Sequence, residues 1–201
     1  MNNNEVLLSQ YADDTCIALD GSEKSLKASL DELNYFGKLS GLKINFSKTQ
    51  VIWIGSKKFS NDTLCNNYNL HWGNTQFNYL GIEYDVDLNK IIKLNYDKKL
   101  VKIKNLLSDW KRRILTPIGK ISVIKTLIIS QLNHLFLSLP NPSEFFLRNL
   151  NDILFKFIWN EKIDKIKRNI MTNDYYHCDL KMLDLHSFMM SLKSTWVRRL
   201  F

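Results

Sequence analysis

The first apolar positions of the chain form two short runs, 6–8 and 16–19, on either side of the segment 10–15. Two short apolar runs this close together predict paired strands joined by a tight turn. Asp13 and Asp14 lie between the runs, so we expect both carboxylates at or near a hairpin turn. The alternative is that these acids only form the turn, because Asp side chains readily bond their own backbone.

A helical period follows the hairpin. Ser22 is placed to cap a helix with Glu23 in its first turn, and Gly41 stands where a left-handed stop is expected. We expect this helix to pack on the sheet. Its apolar face is predicted to contain Leu26, Leu30, Leu33 and Phe36.

Three segments with other patterns come next. Residues 43–55 read as extended, because Ile44 and Phe46 alternate with polar positions and 51–54 is a short apolar run. Residues 59–73 are polar and rich in Asn, which predicts an exposed loop. Residues 75–94 predict one or two further strands.

From about Asp97 the period becomes helical and stays so. The first of these helices has a basic side and an apolar side that includes Trp110 and Ile114. Thr116 and Pro117 predict the start of a second helix, which runs to about Ser138. Its inward residues are predicted to be Ile118, Ile121, Ile124, Ile128, Leu132 and Leu135.

Ser143 predicts the start of a third helix, which runs to Asn160 and is rich in aromatic residues. We expect these aromatic side chains to be core rather than base-stacking platforms. They are Phe145, Phe146, Phe155, Phe157 and Trp159. The whole order of elements predicts an α+β fold, with an antiparallel sheet and a packed helix followed by an all-helical region.

Charge separates the two halves of the chain. Residues 1–89 carry a net charge of −4 and residues 90–201 a net charge of +12. This asymmetry favours contact between the later half and nucleic acid, although a solvated basic face gives the same pattern. Three cysteines without metal spacing indicate a reducing compartment. With no signal peptide and no uninterrupted apolar span predicted, we expect the nucleus or cytoplasm and no membrane.

Several motifs point to one family. Tyr11-Ala12-Asp13-Asp14 resembles the catalytic hairpin of reverse transcriptases. Residues 41–49 (GLKINFSKT) look like the next segment of the polymerase palm, and 77–82 (FNYLGI) look like the hairpin that grips the primer end. The three segments follow in the order that the family has.

Later segments resemble the polymerases of non-long-terminal-repeat (LINE-type) retrotransposons. They are 110–113 (WKRR), 119–125 (GKISVIK), 139–142 (LPNP), 157–160 (FIWN) and 180–182 (LKM). The resemblance implies a C-terminal part of the palm at 1–94, a helical thumb at 95–160 and the start of a downstream region at 161–201.

The resemblance also implies a two-metal phosphoryl-transfer site. Asp13 and Asp14 would bind Mg²⁺ or Mn²⁺, and Lys48 would protonate the leaving pyrophosphate or steady its charge. Tyr11 and the small Ala12 would face the primer end. The alternative for Lys48 is an ordinary exposed lysine. The alternative for Tyr11 and Ala12 is ordinary packing within the strand.

Further residues would hold the nucleic acid. Tyr79, Leu80 and Gly81 would grip the primer backbone, and four basic side chains would contact phosphates of the template and primer. Those four are Arg112, Arg113, Lys120 and Lys125. The implied partners are an RNA template, a DNA primer and deoxynucleotides.

The family's site also needs an Asp on an earlier palm strand and a fingers region, which we expect upstream of Met1. We therefore expect a fragment that does not polymerise by itself. The alternative is a non-catalytic nucleic-acid-binding remnant of a degenerate retroelement. An RNA-templated RNA polymerase or an intron-encoded maturase agrees less well with the thumb and downstream motifs. His177, Cys178 and His186 are too few for a structural zinc site, so none is expected.

Overall fold

The computed structural model describes residues 8–173 and 180–198. These residues form small antiparallel sheets and many helices, which confirms the predicted α+β class. The chain divides into two compact units, Met1–Leu88 and Asn89–Phe201. The predictions that involve residues 6–7 and 177–178 lie outside the described residues.

The first unit opens with the predicted hairpin. Strand β1 (Leu8–Tyr11) pairs with β2 (Asp14–Ile17) in antiparallel register, with Tyr11 opposite Asp14. Only Ala12 and Asp13 remain for the turn, so the predicted position of the acids is confirmed.

A second hairpin closes this unit. Strand β3 (Gln76–Tyr79) pairs with β4 (Ile82–Asp85), and Tyr79 lies opposite Ile82. The two hairpins are separate two-stranded sheets and do not share a backbone ladder. The expected single sheet is therefore replaced by two ribbons that meet through side chains.

Helix α1 (Glu23–Ser40) has the caps that the sequence predicts. The Ser22 hydroxyl accepts a hydrogen bond from the Ser25 amide, and Gly41 ends the helix with a left-handed φ of 79°. Leu26 and Leu30 are buried as expected, but Phe36 is 53% exposed.

The packing partner of α1 differs from the expected one. Leu26 and Leu30 form a cluster with Cys65, and partly buried side chains of the connecting segment pack around it. Those side chains are Phe46, Leu64, Tyr68, Leu70 and Trp72. The segment 59–73 is a loop as predicted, yet most of its apolar side chains after Phe59 pack on the helix instead of facing solvent.

The strand predicted within 43–55 is absent from the described structure. Its backbone pairing is one isolated bridge between Gln50 and His71, so no ladder forms. Ile54 is 64% exposed, which shows that the apolar run 51–54 is not buried throughout. A short apolar run does not specify a strand when no neighbouring strand offers its backbone groups.

The described secondary structure of the second unit is entirely helical. Helix α2 (Leu88–Lys111) begins earlier than expected and ends before Ile114, which is fully exposed. The other helices are α3 (Pro117–Val123), α4 (Ser130–Ser138), α5 (Glu144–Trp159), α6 (Arg168–Met171) and α7 (Leu185–Arg198). A π-helical segment, Ile124–Ile129, joins α3 to α4.

Local capping explains where these helices start. The Thr116 hydroxyl accepts from the Gly119 amide ahead of Pro117, and the Ser143 hydroxyl accepts from the Phe146 amide. The predicted inward residues are buried except Ile118, which is 55% exposed. The aromatic residues of α5 are core as predicted except Phe145, which is 77% exposed.

The segment Pro117–Ser138 is, by its length and composition alone, apolar enough to cross a membrane. Many of its apolar side chains are core residues of the second unit, since Ile124, Ile128 and Leu132 have no exposed surface. A core helix of this kind passes the same compositional test, so the expectation of no membrane stays a prediction.

Candidate active site

The two carboxylates lie at the tip of the first hairpin. Asp13 occupies the turn and Asp14 begins β2, and both side chains are exposed. Among the described residues, neither carboxylate has a hydrogen-bond or ion-pair partner. Their oxygens are therefore open to an incoming cation.

This donor set fits part of a magnesium or manganese site. Mg²⁺ takes carboxylate oxygens at about 2.0–2.1 Å and keeps waters and substrate phosphates as its other ligands. Within residues 8–173 and 180–198, no group of three or more His, Cys, Asp or Glu side chains is positioned to hold a metal. Asp13 and Asp14 can thus supply some ligands of such a site, but not a complete cage.

Ala12, which carries only a methyl side chain, lies at the first position of the turn. Ala12 adopts a left-handed φ of 53°. This conformation costs an L-residue roughly 1–2 kcal/mol, and the cost is greater for β-branched side chains. Tyr11, on the preceding strand, is 68% exposed. The sequence therefore leaves a compact turn beside an exposed aromatic ring, as the resemblance to a primer-facing pair implies.

The second hairpin reaches the first through Tyr79. Its hydroxyl donates to the Ser9 carbonyl at 3.3 Å and lies 3.2 Å from the Ser9 hydroxyl. Tyr84 on β4 lies near Cys16 on β2, and burial is the largest of the causes that raise the pKa of the Tyr84 hydroxyl. The structure thus brings together the predicted primer-gripping hairpin and the hairpin that carries the carboxylates.

The turn of the second hairpin has the backbone of a tight two-residue connection. Leu80 and Gly81 both have positive φ, at 51° and 78°. The Asn78 side chain accepts a hydrogen bond from the Gly81 amide at 3.2 Å, which fixes the turn. Positive φ at both central positions matches the twist of the strands and favours glycine. A Cβ on Gly81 would meet nothing within 4 Å, so the turn is open on that side.

Lys48 lies in a turn at 46–48 and is exposed. Its backbone amide bonds the Asn45 carbonyl, and within the described chain no hydrogen bond or ion pair joins its ammonium to either hairpin. The role of Lys48 as a proton donor stays a prediction.

Arg112 and Arg113 are exposed just beyond the end of α2. The Arg113 guanidinium lies 4.2 Å from the centre of the Trp110 ring. Arginine keeps its donors free when it stacks on an aromatic face, so this ring orients the group without satisfying it. Both residues are exposed, and their role as phosphate contacts stays a prediction.

Lys120 does not fit the role that the sequence suggests. It is 2% exposed, and its ammonium donates to the Phe157 and Ile158 carbonyls at 2.9 and 3.2 Å and also to the Asn160 side chain. These acceptors are at the C-terminal end of α5, where carbonyls lack helical partners. Burial is the main reason that the pKa of Lys120 is lowered. Its ammonium is used to cap α5 and is not available to a phosphate.

Lys125 is half-buried on the π-helical segment. Burial lowers the pKa of its ammonium, and the nearby charge of Lys181 lowers it further. The role of Lys125 as a phosphate contact stays a prediction.

Sequence reasoning missed Ser9, which anchors Tyr79 to β1. A serine that follows a short apolar run gives no signal of such a role, because the contact joins residues 70 positions apart in the sequence.

The same part of the chain matches a known family. Residues 1–84 match the family model for reverse transcriptase (RNA-dependent DNA polymerase). The match includes β1, β2, α1 and β3 and ends within β4, so it contains both hairpins. The resemblance to reverse transcriptases is thereby supported for this segment. The narrower assignment to LINE-type elements, and the palm and thumb divisions, stay predictions.

We predict that Lys120→Met lowers the stability of the chain by about 1–3 kcal/mol, because buried carbonyls lose their donor. Urea unfolding followed by circular dichroism measures this change. The matched variant is Lys111→Met, whose ion pair with Glu161 is half-exposed and contributes about 0–1 kcal/mol. Equal effects of the two substitutions would contradict the capping role.

Proposed function

We propose that this chain carries part of the active site of an RNA-directed DNA polymerase of the LINE type, which copies retrotransposon RNA into DNA. The observation that supports this most is the pair of unpartnered carboxylates, Asp13 and Asp14, on a hairpin tip. A second hairpin lies beside that hairpin, and the family match covers both.

In this proposal Asp13 and Asp14 hold Mg²⁺ or Mn²⁺ together with a carboxylate from another palm strand. The bound ions would lower the pKa of the primer 3′-hydroxyl and neutralise charge on the triphosphate. The chain's own contribution is position, because paired strands hold a carboxylate more rigidly than a loop does. Lys48 is retained as a candidate proton donor only if a bound nucleotide lies within its reach.

Tyr11, Ala12 and the Tyr79–Gly81 turn would hold the primer end. Tyr79 is tied to β1 by its hydroxyl, so a primer strand gripped by the second hairpin would stay in a fixed position relative to the carboxylates. The left-handed Ala12 turn leaves the space beside Asp13 free of a larger side chain. This arrangement favours positioning of the 3′-end as the role of the second hairpin.

The basic second unit would contact the template and primer backbones. Arg112 and Arg113 are exposed and are the strongest candidates, and Lys125 is the third. Phosphate contacts position a duplex without reading its sequence. We therefore expect these residues to bind an RNA–DNA hybrid with weak sequence preference.

The second candidate is a nucleic-acid-binding remnant that no longer catalyses. The excess of positive charge after residue 89 supports it, because binding needs the basic residues but not the carboxylates. The two candidates differ in whether Asp13 has any effect beyond the local charge.

Our first prediction from this proposal concerns metal binding by the isolated chain. Added Mn²⁺ is expected to broaden the amide NMR signals around Asp13 and Asp14 at weak, millimolar-range concentrations, since few protein ligands are present. Asp13→Asn combined with Asp14→Asn is expected to abolish that broadening.

The matched control is Asp31→Asn combined with Glu32→Gln. These adjacent acids lie exposed on α1, and the amide introduced at position 31 keeps an acceptor for the Tyr68 hydroxyl that now bonds Asp31. The control should leave the broadening at the hairpin unchanged. If the broadening persists after the hairpin substitutions, the assignment of metal binding to Asp13 and Asp14 is contradicted. Loss of the broadening in the α1 variant would contradict it as well.

A further prediction is that the purified 201-residue chain does not extend a primer. Among the described residues, no group of three or more His, Cys, Asp or Glu side chains is positioned to hold a metal ion. Primer extension on an RNA template with Mg²⁺, at near-stoichiometric enzyme, measures this. Primer extension by the chain would overturn the prediction of inactivity. If that extension disappeared in Asp13→Asn, the result would support a catalytic role for Asp13.

A further inference from the structure

Outside the hairpins, the first unit has a group of aromatic rings with lysines over them. We call Trp53, Lys57, Lys58, Phe59 and Trp72 the aromatic–basic cluster. The Lys57 ammonium lies 4.9 Å from the centre of the Trp53 ring, and the Lys58 ammonium lies 5.0 Å from the centre of the Phe59 ring. Positive charge and aromatic surface are therefore combined twice within a few residues.

The Trp53 ring is fixed from several sides. Its indole N–H donates to the Asp62 carbonyl at 2.8 Å, and Trp72 packs against it with ring centres 5.5 Å apart. Gly21 approaches so closely that a Cβ there would lie 3.2 Å from the ring. Because these contacts already hold the Trp53 ring in place, the ring would lose little conformational freedom when a ligand ring stacked on it.

Phe59 is the exposed member of the cluster. Its side chain is 73% exposed, which is unusual for phenylalanine. Lys57 is also exposed, and its ammonium donates to the Gly21 carbonyl at 3.4 Å. No acidic residue occurs between positions 50 and 61, although the first unit as a whole is acidic. The cluster is thus a local positive and aromatic surface on a negatively charged unit.

The cluster borders a shallow depression of about 140 Å³, which Trp53, Lys58 and Phe59 line. Asn61 and Asn74 also line it, and their side-chain amides form no hydrogen bond to other described residues. An amide offers both a donor and an acceptor, as the edge of a nucleobase does. The depression therefore combines a stacking surface, charge and unused polar groups.

We propose that the aromatic–basic cluster binds an unpaired nucleotide of single-stranded nucleic acid. The base would stack on Phe59 beside Trp53, and a flanking phosphate would meet Lys57 or Lys58. Unpaired bases are recognised by stacking on aromatic side chains and by hydrogen bonds to their edges, with lysines along the backbone. Because the Lys58 ammonium lies over one face of the Phe59 ring, the base would stack on the other face of that ring.

The proposal goes beyond the polymerase site, because it uses neither carboxylate and neither hairpin turn. Asp13→Asn should leave binding at the cluster unchanged. Failure of the polymerase proposal and failure of this proposal can therefore be distinguished in the same set of variants.

The test measures binding of a fluorescently labelled short oligouridylate to the full chain, by anisotropy at low salt. An abasic oligonucleotide of the same length has phosphates but no bases, so its affinity measures the contribution of charge without stacking. Phe59→Ala is expected to weaken binding of the oligouridylate by about fivefold or more, the value of one lost base–aromatic stack, and to leave the abasic affinity unchanged. Phe59→Trp should retain binding, whereas Phe59→Leu should not.

Matched controls separate the cluster from general charge and from general exposure. Phe36→Ala removes an exposed phenylalanine from α1, and Lys24→Ala with Lys27→Ala removes two exposed lysines from the same unit. Lys57→Ala with Lys58→Ala should weaken binding of both oligonucleotides more than the α1 pair does. The proposal would be overturned if the two lysine pairs lost equal oligonucleotide affinity or if Phe59→Ala lost none. It would also be overturned if poly-glutamate bound the chain as tightly as the oligouridylate does.

Discussion

The contact between Tyr79 and Ser9 makes one site out of two hairpins. Each hairpin is a two-stranded ribbon, and such ribbons are marginal when isolated in water. No backbone ladder joins them, so their side chains must hold them together. The Tyr79 hydroxyl bonds Ser9 on the strand that leads to Tyr11. The position of the second turn relative to the carboxylates depends on this contact.

The first unit carries a net negative charge, to which the two carboxylates at the hairpin tip contribute. Asp13 and Asp14 are left without a counter-ion among the described residues at an exposed tip, and the unit around them is acidic. The proposed cation would place positive charge beside both carboxylates. The basic residues are concentrated after position 89, where they favour binding of a polyanion. The aromatic–basic cluster is the local exception within the acidic unit.

Local signals in the sequence predicted most of the elements. The hairpin at Asp13 and Asp14 and the caps at Ser22, Thr116 and Ser143 depend on neighbours within a few residues, so a single sequence reveals them. Gly41 likewise ends α1 through backbone geometry alone. The resemblance to reverse transcriptases then predicted a catalytic role for the hairpin, which composition alone could not have predicted.

Tertiary contacts decided what the sequence left open. Lys120 looks like any surface lysine in a basic helix, and only the end of α5, more than thirty residues away, turns it into a buried cap. The apolar run 51–54 lacked a partner strand, so its strand propensity had no effect. The polar loop at 59–73 covers α1 because Cys65 and its neighbours meet Leu26 and Leu30. Such pairings are set by the three-dimensional fold and leave no periodic trace.

The association of the two hairpins is the central claim, and nuclear Overhauser effects in the full chain test it most directly. We predict cross-peaks between the Tyr79 ring protons and the Ser9 side-chain protons. Cross-peaks within each hairpin but none between Tyr79 and Ser9 would contradict the account, because the second turn would then have no fixed position beside Asp13 and Asp14.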